Sequence, residues 1–564
     1  MGCYRPADGS SRQLTSLGRS RGNKCPYTAS VKAGLWCPIV KIPLTTYRQK
    51  MGYQQRGRRA FIASITLSVL ASFAIQCGDD RAAQTPPPNP DWPTYGHDLR
   101  HSFTAVQAAV DKTNVASLQL AWKVSMPDAV SAPPSVVSGV VYIGAWDGVM
   151  YALDAESGAV RWTFEVDCQN AILPIPPRCL APGQQEPDRT GTDGGLIVGA
   201  AAANGGNLYF GGGRTLYCLE AATGRLIWKR VLCGNPDDAS CAQDENDPAL
   251  IFSSAVVTGG AVIVGVSVDG ADGYRGGIVA VDAASGGIKW RFEVDPILDA
   301  NGTPALDAMG KVKGGVNRGC GNAWSTGAVD EANGLVFFGT ADCQSDAAPP
   351  YHEAVLALNI ATGTVVWVYR PRSNDTCDFD FGASANLIDV GGAQLVGEGN
   401  KDGTYYVLDR KTGTLVWKKN VVFGGSSGGF IGSTAFDGAQ IYGGTGIGEL
   451  GGPLCMPNNP DDMVIQNPSF HAFDAATGTV EWENNQANTF AATSVSGGAV
   501  FNGIGNVLPP ALRVYDAGTG ATLASFKADG AVNSGVAIVG KTIYFGAGNS
   551  FNGTGGAAFA YRLP

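Results

Sequence analysis

The phrase DAATGTVEW, residues 474–482, places a tryptophan four residues after a glycine, and the chain repeats it. DAESGAVRW (154), EAATGRLIW (220), DAASGGIKW (282), NIATGTVVW (359) and DRKTGTLVW (409) keep the same spacing, and DAGTGATLA (516) keeps the turn but loses the tryptophan. Successive copies start 42 to 77 residues apart, which is the signature of a repeat architecture carrying insertions in its loops. A chain built this way folds by stacking copies of one unit, because a single unit leaves an apolar face uncovered.

The unit itself is legible. Each copy follows an apolar run such as VVYIGAWDGVMYAL, in which Val, Tyr, Ile and Leu flank glycine-rich turns and read as strands. Asp or Asn opens the turn by bonding the backbone ahead of it, and Gly takes the positive backbone angle. The tryptophan then projects from an outer strand, where burial against a neighbouring turn is worth about 2 to 3 kcal/mol. With 78 glycines and only 16% charged residues in 564, the composition suits many short strands and tight turns. Four-stranded units of this kind stack radially, so the fold class expected is all-β, a β-propeller with tryptophan-docking repeats. Beyond the seventh turn, VAIVGKTIYFGAGNSFNGTGGAAFAYRL (536–563) supplies three strands and no fourth, whereas LQLAWKV (118–124) is an orphan outer strand with its own Trp122. Joining the two gives an eight-bladed ring whose last blade is closed by both termini; seven blades is the alternative.

The first ninety residues stand apart. Ala60 to Gln76 carries no charge, follows Arg56, Arg58 and Arg59, and precedes Cys77, which is the shape of an export signal over residues 51–77. RRAFIA resembles a twin-arginine signal, and Cys77 stands where a lipoprotein is acylated, so a periplasmic protein with a lipid anchor at Cys77 is one expectation. Residues 1–50 read as a disordered extension or a mis-set start ahead of Met51, and residues 78–90, with QTPPPNP, as a tether leading to a propeller over 91–564. Removing residues 1–76 takes away twelve basic side chains and one acidic one and shifts the formal charge from -9 to -20, which argues against a nucleic-acid partner. Cys168/Cys179 and Cys233/Cys241 lie close enough in loops to pair in an oxidising compartment, and Cys218, within a strand pattern, is the odd thiol. No CxxCH occurs, so no covalent c-type haem is attached to this chain, and no CxxC offers a zinc ribbon.

The turn phrase A-x-D-x-x-T-G-x-x-x-W resembles the tryptophan-docking motif of pyrroloquinoline quinone (PQQ) enzymes and lacks the WD-type dipeptides. DWPTYGHDLRHSF with NVASLQLAW (91–122) is similar to the amino-terminal lead-in of quinoprotein alcohol dehydrogenases, in particular the polyvinyl alcohol dehydrogenase group, and the likeness covers about residues 91–564. The resemblance implies PQQ in the central channel with Ca2+ beside it, a tryptophan floor, a set of carboxylate and amide ligands for the metal, a carboxylate base, and a Lys or Arg at the quinone.

Carried over position by position, GNAWSTGAVDEANGLVFFGTAD (321–342) puts Trp324 under the cofactor and Asp342 at the metal. EAVLALNIATG (353–363) offers Glu353 as base and metal ligand where the family has Asp, a methylene longer and displaced by over about 1 Å. GVSVDGADGYRGGIVAVD (265–282) offers Asp269 or Asp272 to the metal, followed by Arg275 at the cofactor. GNKDGTYYVLDRKTG (399–413) assigns Lys401 to the quinone oxygen and an acidic partner, and DFDFGASANL (378–387) gives Asp380 to that network. GGFIGS (428–433) puts Ile431 where relatives carry Asn-Trp or a tryptophan, and the family's adjacent cysteine pair is missing. Two functions are therefore expected: oxidation of a primary or secondary, even polymeric, alcohol with electrons passed to a separate cytochrome c or other acceptor, or a non-catalytic propeller lipoprotein serving as a periplasmic protein-binding scaffold.

Overall fold

The computed structural model describes residues 61–63, 91–166, 196–234, 247–268, 273–301, 303–306, 313–314, 322–341, 350–372, 377–426, 428–446, 469–485, 489–505, 511–549 and 554–564. Their strands form eight sheets, built in seven of the eight on four antiparallel strands taken in sequence order. Blade 1 runs through Ser135–Val137, Val140–Gly144, Val149–Asp154 and Val160–Glu165, and blades 2 to 7 repeat that order. The sheet of blade 2 also takes in Phe61–Ala63. Blade 8 is made from both termini. Ala537–Val539, Thr542–Asn549 and Thr554–Arg562 come from the end of the chain and Gln119–Met126 from the start, paired from Gln119 opposite Arg562 to Met126 opposite Gly556. The eight-bladed reading therefore holds and the seven-bladed alternative does not.

The middle strands of the blades are buried along most of their length, and throughout in Val140–Gly144 and Ala261–Val266, while the outer strands alternate and expose aliphatic residues such as Val160, Ile288 and Val416. This follows from stacking: the two central strands are covered by neighbouring blades on both faces, and the outer strand is covered on one. The repeated phrase supplies the stitch between blades. Trp162 of blade 1 lies on Gly224 of blade 2 and donates its indole N–H to Ala221 O at 3.0 Å. Trp122, Trp290, Trp367, Trp417 and Trp482 do the same, each to the turn of the following blade, at 2.7 to 3.1 Å. Trp228 stacks on Gly286 without such a bond. The copy that lost its tryptophan is explained by the same geometry. Blade 7 would dock onto the turn joining the third and fourth strands of blade 8, and those two strands come from opposite ends of the chain, with no turn between them.

A segment ahead of the first strand occupies one face of the ring. Trp92 exchanges two backbone hydrogen bonds with Val136 of blade 1, and the carbonyls of Pro93, Leu99, Arg100, Ser102 and Phe103 accept the N–H groups of Ala203, Val329, Leu387, Phe436 and Val495. Ala109 and Lys112 then donate to Gly540 and Gly497. Residues 92–112 thus form a strap bonded to blades 1, 2, 4, 5, 6, 7 and 8. The first strand of each blade has one edge without a sheet neighbour, and the strap pairs with backbone groups of those edges. To meet so many blades in so few residues the chain turns repeatedly, with His97, His101, Phe103 and Gln107 all at positive φ. Among the described residues no helix is long and apolar enough to cross a membrane.

Candidate functional site

A cavity of about 220 Å³ occupies the channel, and residues from all eight blades line it. Its chemistry gathers on blades 4 and 5. Trp324 leaves blade 4 and reaches across to blade 5, where its ring edge occupies the space that a side chain on Gly382 would need, and its indole N–H donates to Asp380 Oδ2 at 3.1 Å. Lys401 follows the second strand of blade 5. Its ammonium bonds Asp380 Oδ2 at 2.5 Å and Asp378 Oδ1 at 3.0 Å, and lies 5.4 Å from the centre of a Trp324 ring. All four side chains line the cavity. Two carboxylates share one ammonium at a site that is nine-tenths buried, so their geometry is set by charge pairing rather than by solvent.

The loop that presents the two carboxylates is held at its midpoint. Phe379, between them, has its carbonyl bonded by Asn400 Nδ2 at 2.7 Å and by Arg372 Nη2 at 3.1 Å. Arg372 also reaches Asp402 at 2.6 Å and covers the Phe379 ring. Asp378 is a non-glycine residue at φ +62°, a conformation that needs such support. Along this one segment the channel can be read in layers. Asp378 and Asp380 meet Lys401, Gly382 meets the Trp324 ring, Ser384 lines the cavity beyond it, and Leu387 bonds the strap.

Below Trp324, hydroxyls cross the seams between blades 2 and 6. The N–H of Ala200 donates to Ser254 Oγ, that of Ser254 to Thr326 Oγ1, that of Thr326 to Ser384 Oγ and that of Ser384 to Ser433 Oγ, all at 2.8 to 2.9 Å. The strap completes this layer through the Tyr95 hydroxyl, 2.7 Å from Ser433 Oγ. Burial raises the Tyr95 phenol, so it stays a neutral hydroxyl. Under it His101 packs edge-on against Tyr95, bonds Ala385 O through Nδ1 at 3.1 Å, and is pushed down by burial to about 4. The strap is thus the floor of the cavity.

The structure brings together three of the residues expected from sequence, Trp324, Asp380 and Lys401. Ile431 also lines the cavity, on the blade 6 side. Glu353 and Arg275 are not among the lining residues. Glu353 is buried at φ +43°, its N–H bonded to Ala341 O, with Arg370 in its electrostatic reach. Arg275 is buried in an ion pair with Glu293 at 3.0 Å, and Glu293 is shared with Arg291. Asp269, Asp272 and Asp342 lie outside the described residues. Asp378 was missed from sequence, although it sits two positions before Asp380 in DFD and so had the spacing to share a cation. Arg372 carried no such signal; its role comes from a fold-back onto Phe379.

The residues in hand fit a planar conjugated group. Trp324 offers a flat face, the missing side chain at Gly382 lets its indole lie across the channel, and Lys401 stands over that face with N–H groups to donate to a carbonyl oxygen. Among the described residues no group of three carboxylate, His or Cys side chains is placed to hold a metal ion.

Comparison with known proteins bears on the family and the fold. Residues 92–421 match the PQQ profile, described as the glucose/ethanol/alcohol dehydrogenase β-propeller domain, and residues 401–557 match that of the outer membrane protein assembly factor BamB. Polyvinylalcohol dehydrogenase of Sphingopyxis sp. is 24% identical over 66% of this chain and 56% of its own length. Quinohemoprotein alcohol dehydrogenase of Comamonas testosteroni is 27% identical over 65% of this chain and 51% of its own. The chain spans about half the length of the curated relatives it matches. The crystal structure of the Comamonas enzyme superposes with a TM-score of 0.66 over 85% of this chain and 81% of that one, at 20% identity, and a europium-containing methanol dehydrogenase gives 0.64 over 84% and 98%, at 18%. These two likenesses are of fold. With more than half of the chain matched by the first profile, the protein belongs to the PQQ-dependent alcohol dehydrogenase β-propeller family.

Proposed function

We propose that the chain is an exported PQQ-dependent dehydrogenase that oxidises a primary or secondary alcohol and passes its electrons to a separate acceptor. The observation that carries this reading is the convergence of Trp324, Asp378, Asp380 and Lys401 on one wall of the cavity. When bound, PQQ supplies the two-electron acceptor, and the protein supplies position and charge. Trp324 would offer its ring face to it. Lys401 would donate an N–H to a quinone oxygen, and its charge keeps two carboxylates close together in a buried site. Asp378 accepts the hydroxyl proton of the alcohol, since it lines the cavity as Asp380 does and its companion already holds the indole N–H of Trp324. Glu353, the base expected from sequence, is off the lining and is left a structural part. Ca2+ remains a proposal tied to residues 269, 272 and 342.

Cys233 and Cys377 are each part of a disulfide, which supports an oxidising compartment such as the periplasm. Relatives that include a cytochrome c-linked lupanine 17-hydroxylase and a quinohemoprotein alcohol dehydrogenase support a cytochrome c as the acceptor. A second reading, a protein-binding scaffold anchored through Cys77, draws on the BamB profile match over 401–557 and on Ile431 at the cavity edge.

Titration of the purified protein with PQQ and Ca2+ separates the two. The dehydrogenase reading expects a rise in melting temperature of RT ln(1 + [L]/Kd) in stability terms and dye reduction with an alcohol, both abolished in Asp378→Asn for turnover and in Trp324→Ala for binding. No stabilisation at saturating cofactor leaves the scaffold.

A further inference from the structure

Glu398 is 1% exposed, and neither of its carboxyl oxygens has a hydrogen-bond partner among the described residues. It lies in the second strand of blade 5, Ala393–Gly399, opposite Tyr406 and three residues before Lys401. Its Oε1 reaches over the seam to the backbone of Gly339 in blade 4, close enough that a Cβ at 339 would collide with it. The same Cβ would also meet the Cβ and carbonyl oxygen of Phe381 at 2.6 Å. Phe381 follows Asp380 directly, and Ser325, beside Trp324, bonds both the N–H and the carbonyl of Gly339. The Glu398 carboxyl is therefore wedged behind the corner that holds Trp324, Asp380 and Lys401.

A carboxylate placed there would have no donor to replace its lost hydration, at a cost of several kcal/mol, whereas a neutral acid would lose far less. The groups that face it are Gly339 of blade 4, Phe381 of the carboxylate loop, and Tyr405 and Tyr406 of the third strand of blade 5. Both phenols are raised by burial and stay neutral, with their hydroxyls engaged by Asn386 and Thr434 and by Asp402. The charged residues next along its strand are committed elsewhere, Lys401 to Asp378 and Asp380 and Asp402 to Arg372. Desolvation alone raises the Glu398 carboxyl well above its ordinary range.

We propose that Glu398 is a positioning residue: as a neutral carboxylic acid it keeps blades 4 and 5 closed behind the Asp380–Lys401 corner, and loss of its proton to solvent at alkaline pH opens that seam. The seam itself is independent of the cofactor reading; only its effect on PQQ affinity rests on it.

The experiment is a pH titration from about 5 to 10 of the full chain and of Glu398→Gln, which keeps the shape and cannot ionise. Infrared difference spectra of the two at neutral pH are expected to show a protonated carboxylic-acid C=O band in the wild type that is missing in E398Q and that fades as pH rises. Near-UV circular dichroism of the wild type changes with the loss of that band, and E398Q stays constant. If PQQ binds, its Kd in the wild type rises about tenfold per pH unit beyond that transition, and E398Q gives a flat profile. A wild type without the acid band at neutral pH overturns the proposal, as does an E398Q protein that keeps the wild-type pH profile. Should E398Q fail to fold, the band in glutamate-labelled wild type, followed through the same titration with the dichroism, decides the matter alone. A flat Kd for want of any PQQ binding counts against the proposed function, and the band and dichroism still judge the seam.

Discussion

At the scale of single residues, buried charge and buried neutrality do different work. Lys401 is 8% exposed between two carboxylates, so Lys401→Met leaves two negative charges facing each other out of solvent. The expected cost is about 3 to 5 kcal/mol of unfolding free energy by denaturant titration, and Lys401→Met with Asp378→Asn and Asp380→Asn should recover most of it. His101 and His471 are the opposite case. Burial lowers them to about 4 and about 3, so both are neutral in the fold and protonate near 6.5 once unfolded. The unfolded chain therefore binds protons first. The stability that neutral histidine gives is complete above about pH 6.5 and is lost as pH falls towards 4 for His101 and 3 for His471. His101→Asn should flatten part of the decline in melting temperature between pH 6.5 and 4, and an unchanged slope would show that His101 titrates alike in the folded and the unfolded chain.

At the scale of the element, the docking phrase is both the most legible part of the sequence and the most easily tested. Its spacing disclosed strand, turn and strand because an Asp or Asn, a Gly at positive φ and a Trp are each demanded locally. Trp417→Ala removes a ring packed on Gly478 together with its bond to Ala475 O, and about 3 to 5 kcal/mol of stability is expected to go with it. Ala524→Trp restores the residue missing from the seventh copy and should stabilise by nothing measurable, because blade 8 has no turn to receive it. The strap was not legible. Residues 92–112 carry no alternation and no repeat, and they are ordered by hydrogen bonds to seven blades, the farthest from Ala109 to Gly540. The site divides in the same way. Trp324, Asp380 and Lys401 sit beside family-like phrases and could be read, whereas Arg372 acts through a fold-back and Glu398 through a seam, neither of which any local pattern encodes.

At the scale of the whole molecule, the ring is only as closed as its eighth blade. Thr554–Arg562 is an interior strand there, with Thr542–Asn549 on one side and Gln119–Met126 on the other, so it is the piece that zips the two ends of the chain together. Deleting residues 554–564 would strip Gln119–Met126 of its one sheet partner among the described strands and leave two unpaired edges facing each other across a gap one strand wide. The strap gives that truncated chain a second closure, since it bonds blade 1 through Trp92 and blade 8 through Ala109 without passing through the missing strand. The truncated protein is therefore expected to keep seven blades and most of its strand circular dichroism, to melt at a markedly lower temperature, and to bind a synthetic peptide of residues 554–564 by strand addition with recovery of the melting temperature. If the truncated chain instead unfolds outright and the peptide rescues nothing, closure through the eighth blade precedes everything else and the strap only decorates a ring that is already shut. If truncation leaves the melting temperature unchanged, the strap by itself holds the ring.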